Sequence, residues 1–404
     1  MILFLSKISN QIMFKSDNYH ITTMTKTFLY LFLICSLLAC NKKVKTEILN
    51  SEENQKSELK YAEGFSITKT TNYTIIEINQ PWPNAEKSYK YVVISKANAA
   101  KTSFLKDEFD GIIITPIEKI VVTSTTHLPA LELLEEEETL VGFPGTHYIS
   151  SESIRNRIDN NKVRELGKNE GINTEVLLEL NPDLVVGFGI DGGNRSLEII
   201  KKSGVPVIFN GDWVEHSPLA KAEWIKFFGV LYNKEKKADS IFNHIEKDYL
   251  ATKQLALNAT TKPSVLSGAM HNDIWYLPNG NSTEAQLLID ANVNYLWNDS
   301  EGKGSLQLNF ESVFIKARDA AIWLNPSNYS SLDALKNGNE NHAMFDAFKN
   351  KNVYSFTNTT GKTGGVLYYE LGMARPDLVL KDLIKICHPN LLQDYKPFFF
   401  KPLE

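Results

Sequence analysis

The chain has 404 residues, 43 Lys and Arg against 48 Asp and Glu, and a formal net charge of −5. A mildly acidic chain with scattered lysines lacks the basic footprint of a nucleic-acid binder, and no such partner is expected. Of its three cysteines, Cys35 lies inside an N-terminal apolar run and Cys40 closes it; no disulfide framework is available, so a large core must hold the fold.

Thr25-Lys26-Thr27, the apolar stretch from Phe28 to Leu38 and the ending Leu37-Leu38-Ala39-Cys40 resemble a bacterial lipoprotein signal. The run is shorter than the roughly 20 residues that span a bilayer. By that resemblance residues 1–39 are a signal peptide and Cys40 is the lipidated first residue of the mature chain. The protein is then expected in the periplasm or cell envelope, lipid-anchored to an inner or outer membrane. Met24 is a better start than Met1, since a basic residue then precedes the apolar core. Residues 40–60 are polar and charged and read as a flexible tether.

Thr74 to Asn79 and Tyr91 to Ser95 are short strand patterns around the turn Pro81-Trp82-Pro83-Asn84, and residues 61–114 read as a small β appendage. From Ile112 onward strands alternate with helices, the signature of a parallel α/β sheet. Ile120 to Ser124, Thr139 to Phe143, Leu184 to Phe188 and Val205 to Asn210 are the expected strands of a first lobe, residues 115–232. Ser217-Pro218 opens a helix. A long helix over Lys234 to Asn258, within a connecting segment 233–260, carries Ala238, Ile241, Phe242, Ile245 and Tyr249 at helical spacing; at 1.5 Å per residue it spans about 35 Å, enough to join two lobes. The second lobe, 261–404, is expected to use Ser264 to Ala269, Ile274 to Leu277, Ala320 to Leu324 and Val353 to Thr357 as strands. Its last helix begins at Arg375-Pro376-Asp377.

Two segments repeat one pattern: Asn173 to Phe188 and Asn309 to Leu324. Each opens with Asn-x-Glu, makes one or two helical turns, and places an Asp eight residues after the Glu before an apolar strand. Glu175 and Glu311 therefore sit at helix starts, where the dipole favours a negative charge and the carboxylate stays exposed.

Glu170-Gly171-Ile172-Asn173-Thr174-Glu175 with Leu180-Asn181-Pro182-Asp183-Leu184-Val185-Val186-Gly187 resembles the hallmark of the iron-siderophore/cobalamin class of periplasmic binding proteins. Glu370 to Asp377, Asp382-Leu383-Ile384-Lys385 and His388-Pro389 resemble the same family's C-terminal signature, and Pro116 to Val122 its start. The similarity covers about residues 115–392. It implies a class III periplasmic binding protein, α/β with two Rossmann-like lobes joined by a single long helix, here with an added N-terminal β appendage. It also implies a non-enzymatic, monomeric substrate-binding protein that serves the permease and ATPase subunits of an ABC importer. By the same resemblance Glu175 and Glu311 dock on arginines of the permease.

Ligands of open α/β sheets lie beyond the carboxyl ends of the strands. The histidines just after the expected strands are His127, His147, His216 and His271, and the aromatics Tyr148, Phe188, Trp213, Trp275 and Tyr276 keep them company, with Arg195 the one guanidinium near this rim. An aromatic, weakly charged cleft suits a flat or apolar chelate of iron or cobalt, and ferric hydroxamate siderophore, haem and cobalamin all fit. A single arginine is thin for citrate-type or catecholate siderophores. No resident cofactor, metal ligand set or catalytic residue is assigned. Two alternatives stay open: direct binding of a bare transition metal by cleft histidines, and a chelatase-like enzyme acting on a tetrapyrrole. No nucleophile elbow, P-loop or HExxH helix occurs.

Overall fold

The computed structural model describes residues 55–105, 107–190 and 194–404. The signal segment, Cys40 and the tether up to residue 54 lie outside the described residues. The expected tether ends sooner than Lys60, because Gln55–Lys56 already pairs with Thr68 and Lys69 as the first strand of the appendage.

The appendage is a five-stranded sheet in chain order: Gln55–Lys56, Phe65–Lys69, Thr74–Ile78, Tyr89–Ser95 and Gly111–Thr115. The first three junctions are antiparallel and the last is parallel. The strand beginning at Gly111 therefore belongs here and does not open the first lobe. Alternation along the strands turns Phe65, Ile67, Ile76, Ile78, Tyr91 and Val93 inward, and they share one core with the first lobe. Two buried carboxylates fasten the entry segment. Glu223 accepts the amides of Lys60, Tyr61 and Ala62 at 3.0, 2.8 and 2.9 Å. Glu215 accepts those of Glu63 and Gly64 and the indole N–H of Trp224. Burial raises the Glu215 pKa against these bonds.

The first lobe holds five parallel strands in the spatial order Val207–Phe209, Leu184–Gly187, Ile120–Val122, Leu140–Phe143, Arg164–Glu165. The second lobe orders Asn294–Tyr295, Ser264–Ser267, Ile322–Leu324, Val353–Ser355, Lys401–Pro402, parallel except for the last. Both are doubly wound, with the order reversing beside the first strand of the lobe. The central strands are buried on both faces, which is why they read as continuous apolar runs.

Each copy of the repeat supplies the strand next to that first strand. In the first lobe the helix Thr174–Leu180 leads into Leu184–Gly187; in the second, Phe310–Ala317 leads into Ile322–Leu324. The connecting helix is Glu235–Ala256. Its first half sends Ala238, Phe242 and Ile245 into the first-lobe core, and its second half sends Tyr249 and Ala256 into the second. One amphipathic helix thus belongs to two cores.

The second lobe carries an addition that the alternating pattern does not show. Ala269–His271, Ile274–Pro278 and Ser305–Leu308 form a separate antiparallel sheet, so Ile274 to Leu277 is not a strand of the parallel series. Gly268, with φ +75°, makes the turn into it; a Cβ there would meet the carbonyl oxygen of Tyr276.

Candidate functional site

A cavity of about 840 Å³ opens between the lobes. Its first-lobe wall is built from strand ends: Thr123, Ser124 and Thr125 follow Ile120–Val122, Pro144 to Tyr148 follow Leu140–Phe143, and Phe188 follows Leu184–Gly187. These are the loops beside the reversal of strand order, where a ligand is expected. The second lobe adds Asn328 and the loop from Thr357 to Tyr369. The volume lies within the range for small-molecule sites.

His147 and Tyr148 stand together, ring centroids 4.0 Å apart, on a loop held by one carboxylate. Glu165 accepts the amides of Gly145, Thr146 and Gly167, each at 2.8 Å, and the Thr146 hydroxyl at 2.6 Å. Partial burial pushes the Glu165 pKa up, but these bonds outweigh it and hold the carboxyl below its ordinary range. Across the cavity Tyr369 presents its ring from the second lobe; its phenol pKa is raised by burial. Tyr148 is 61% exposed and Tyr369 52%. The charged residues in the lining are Lys168 and Glu170.

The second-lobe loop is fastened to the first lobe. The Ser150 and Ser151 amides donate to Glu370 at 2.6 and 2.9 Å, the Ser150 hydroxyl donates to the Gly365 carbonyl at 2.8 Å, and the Thr363 hydroxyl donates to the His147 carbonyl at 2.8 Å. Glu370 is 2% exposed, and burial, with Glu132 nearby, drives its pKa to about 7 despite the two amides.

Of the residues expected from the sequence, His147, Tyr148 and Phe188 line this cavity. Trp213 and His216 line a second one of about 660 Å³. The other five stand elsewhere. His127 is fully buried: Ser124 caps a tight turn that feeds the helix Leu128–Leu133 and swings the imidazole inward onto Phe228, ring centroids 6.0 Å apart. Burial lowers its pKa to about 3, so it is a neutral core histidine. Trp275 is buried in the second-lobe core, stacked on Trp323 at 5.4 Å with its N–H donated to Ser267. His271 and Tyr276 lie on the exposed side of the same antiparallel sheet. Arg195 is exposed at the first turn of its helix, outside both linings. The four expected histidines thus occupy four separate places. Among the described residues no group of three or more His, Cys, Asp or Glu is placed to hold a metal ion.

Tyr369 and the Thr357–Thr360 turn escaped the sequence reading. Tyr369 lies well beyond the strand Val353–Ser355, too far for a rule that looks just past each strand; its neighbour Glu370 in the C-terminal signature was the available signal.

The periplasmic binding protein family model matches residues 120–360. The chain belongs to that family. An uncharacterized lipoprotein of Methanocaldococcus jannaschii is 26% identical over 383 residues, 89% of each chain. Among solved structures, the periplasmic haem-binding protein of Roseiflexus sp. RS-1 in apo form is 20% identical with a TM-score of 0.52, covering 68% of this chain and 100% of its own. A periplasmic haem-binding protein from Pseudomonas aeruginosa is 16% identical with a TM-score of 0.53, covering 72% and 99%. A possible iron-binding solute-binding protein from Staphylococcus epidermidis is 17% identical with a TM-score of 0.53, covering 68% and 100%. At these identities the likeness is one of fold: a class III periplasmic binding protein. The appendage lies before the matched residues.

Glu175 and Glu311 are both exposed in first helical turns, behind Asn173 and Asn309, whose side chains accept the amides of Val176 at 3.1 Å and Ser312 at 2.8 Å. Helices run antiparallel to the strands they precede, so these starts lie at the carboxyl edge of each sheet, the edge that bears the cavity.

Proposed function

We propose that this periplasmic binding protein captures a metal chelate between its lobes and delivers it to the permease and ATPase of an ABC importer, anchored to the envelope by lipid on Cys40. The observation that carries the reading is the wall chemistry of the interlobe cavity. Imidazole and phenol groups, both able to ligate iron or cobalt, face it from opposite lobes in His147, Tyr148 and Tyr369. Phe188 and backbone-rich loops offer a largely uncharged surface for the organic part of a chelate. A ferric siderophore, haem and cobalamin all have this character, and a saturating chelate brings its own metal ligands, so no third protein ligand is needed. The protein is a carrier in this reading, with no bond made or broken.

Native mass spectrometry of the purified protein with ferric trihydroxamate, haem and cobalamin tests it. One of the three should appear as a one-to-one complex, and the absence of any complex would overturn the reading. The two repeat carboxylates serve delivery: exposed at helix starts, they are free for charge-assisted bonds to arginines of a permease. Glu175→Ala with Glu311→Ala should abolish uptake while chelate affinity stays within twofold of wild type. Loss of binding in that variant would refute the docking role.

A further inference from the structure

The appendage reaches the cleft end of the first lobe through one turn, Pro81-Trp82-Pro83-Asn84, which lies before the residues that match the family model. Two glycines make room for it at adjacent strand ends. Gly189 follows Leu184–Gly187, and a Cβ there would stand 2.9 Å from the Trp82 ring; Gly211 follows Val207–Phe209, and a Cβ there would run into the Gln80 carbonyl. The turn thus sets Trp82 at the carboxyl edge of the sheet. Its ring lies against those of Tyr89 and Phe209, with centroids 5.7 and 5.2 Å away, and those two are 5.0 Å from each other.

These three rings line a side pocket of about 110 Å³. Phe188, Asn169 and Glu170 line both it and the 840 Å³ cavity, so the two spaces share a wall. An aromatic cluster between two parts of a chain is ordinarily packing that fastens them together. The appendage has such a seam already: Phe65, Tyr91, Trp224 and Phe227 are sealed, none of them more than 2% exposed. Trp82, Tyr89, Phe188 and Phe209 are only half-buried and border open space instead. The charged residues of this lining are Glu170 and Glu198, both exposed carboxylates. Lys87 lies over the Tyr89 ring at 4.3 Å and pairs with Asp110 at 3.8 Å, outside the lining. Such a pocket disfavours an anionic arm and offers ring faces to an uncharged one.

We propose that the side pocket is a subsite of the cleft, in which Trp82 packs on an uncharged aromatic or apolar substituent of the cargo. The inference rests on the reading that the cargo is a metal chelate, and it makes the appendage a specificity element of the binding site. The space suits a group of about one ring or one short branched chain, since a dry apolar cavity of about 150 Å³ holds benzene.

The test is fluorine NMR of the protein labelled with 5-fluorotryptophan, the Trp82 signal being identified by its loss in Trp82→Phe. The probes are gallium trihydroxamate, gallium protoporphyrin and cobalamin, all diamagnetic, so that a shift reports contact rather than the field of unpaired electrons. The probe that binds should move the Trp82 signal. Trp82→Ala should weaken that probe about tenfold, the low end for burying one aromatic ring, and Trp82→Phe should recover most of the loss. A probe that binds without moving the Trp82 signal, or that binds Trp82→Ala within twofold of wild type, overturns the subsite and leaves the chelate reading standing. Binding of none of the three overturns both. The wild-type spectrum decides the matter even where Trp82→Ala does not fold.

Discussion

The two lobes share a doubly wound topology and treat their strand ends differently. In the first, the chain leaves Ile120–Val122, Leu140–Phe143 and Leu184–Gly187 and turns straight into the cavity wall. In the second, the chain leaving Ser264–Ser267 turns at Gly268 into a separate antiparallel sheet, which takes Trp275 into the core and sets His271 and Tyr276 on the outside. The wall on that side comes from the Thr357–Tyr369 loop, held by bonds to the first lobe. A rule that reads site residues from strand ends therefore finds most of the first-lobe wall, though it misplaces His127, and in the second lobe fails at the end of Ser264–Ser267. What fails is continuity: an insertion at a strand end moves the next residues off the cleft without altering the strand that precedes them.

The largest effect expected from breaking this contrast is at Trp275. Trp275→Ala should cost about 3–5 kcal/mol of stability, the range for removing a large buried aromatic, read as a lower denaturation midpoint. The folded variant should bind chelate like wild type; a large loss of affinity at unchanged stability would return Trp275 to the cleft.

Next is the seam at Glu370. Its folded pKa of about 7 lies above the ordinary value of 4.5, so the folded state holds the proton more tightly. Its contribution to stability is therefore present below pH 4.5 and is lost as pH rises toward 7, by about 3 kcal/mol across that window. His127 acts oppositely: a folded pKa near 3 costs stability as pH falls below 6.5. The test is accordingly the difference between wild type and Glu370→Gln. Wild type should gain on the variant as pH is lowered from 7 to 5; parallel curves would mean that Glu370 titrates normally.

Glu165→Ala should weaken chelate binding about tenfold, by releasing the loop that aims His147 and Tyr148 after four hydrogen bonds are lost. Calorimetric titration checks this, and unchanged affinity would mean that the loop keeps its shape unaided. The smallest effect is expected at Thr363→Ala, which removes one hydrogen bond across the seam and should cost about 0.5–1.5 kcal/mol of stability, measured by urea denaturation.

Local patterns carried much of the architecture. The repeat Asn-x-Glu located two helix starts, and Asn173 and Asn309 do cap them, because a short polar side chain at that position meets the free amides of the first turn. Apolar runs located the central parallel strands, since burial on both faces leaves no polar alternation. The spacing of Ala238, Phe242, Ile245 and Tyr249 located the connecting helix, observed at Glu235–Ala256. The polar composition of residues 55–60 misled, because their ordering comes from partners outside the segment: Gln55 and Lys56 pair with Lys69 and Thr68, and the Lys60 amide donates to the buried Glu223, 163 residues away.

The sequence by itself determined the central parallel strands, the connecting helix, the family and the two exposed carboxylates, whose signals lie in neighbours within a few residues. Tertiary structure alone decided which aromatic and basic side chains meet. His127 and His147 are indistinguishable as residues that follow a strand, yet one is sealed against Phe228 and the other faces the cavity. Tyr148 and Tyr369 line one cavity only because two lobes face one another. Such pairs join segments far apart in the chain, and no local periodicity records a contact whose energy is supplied by the other lobe.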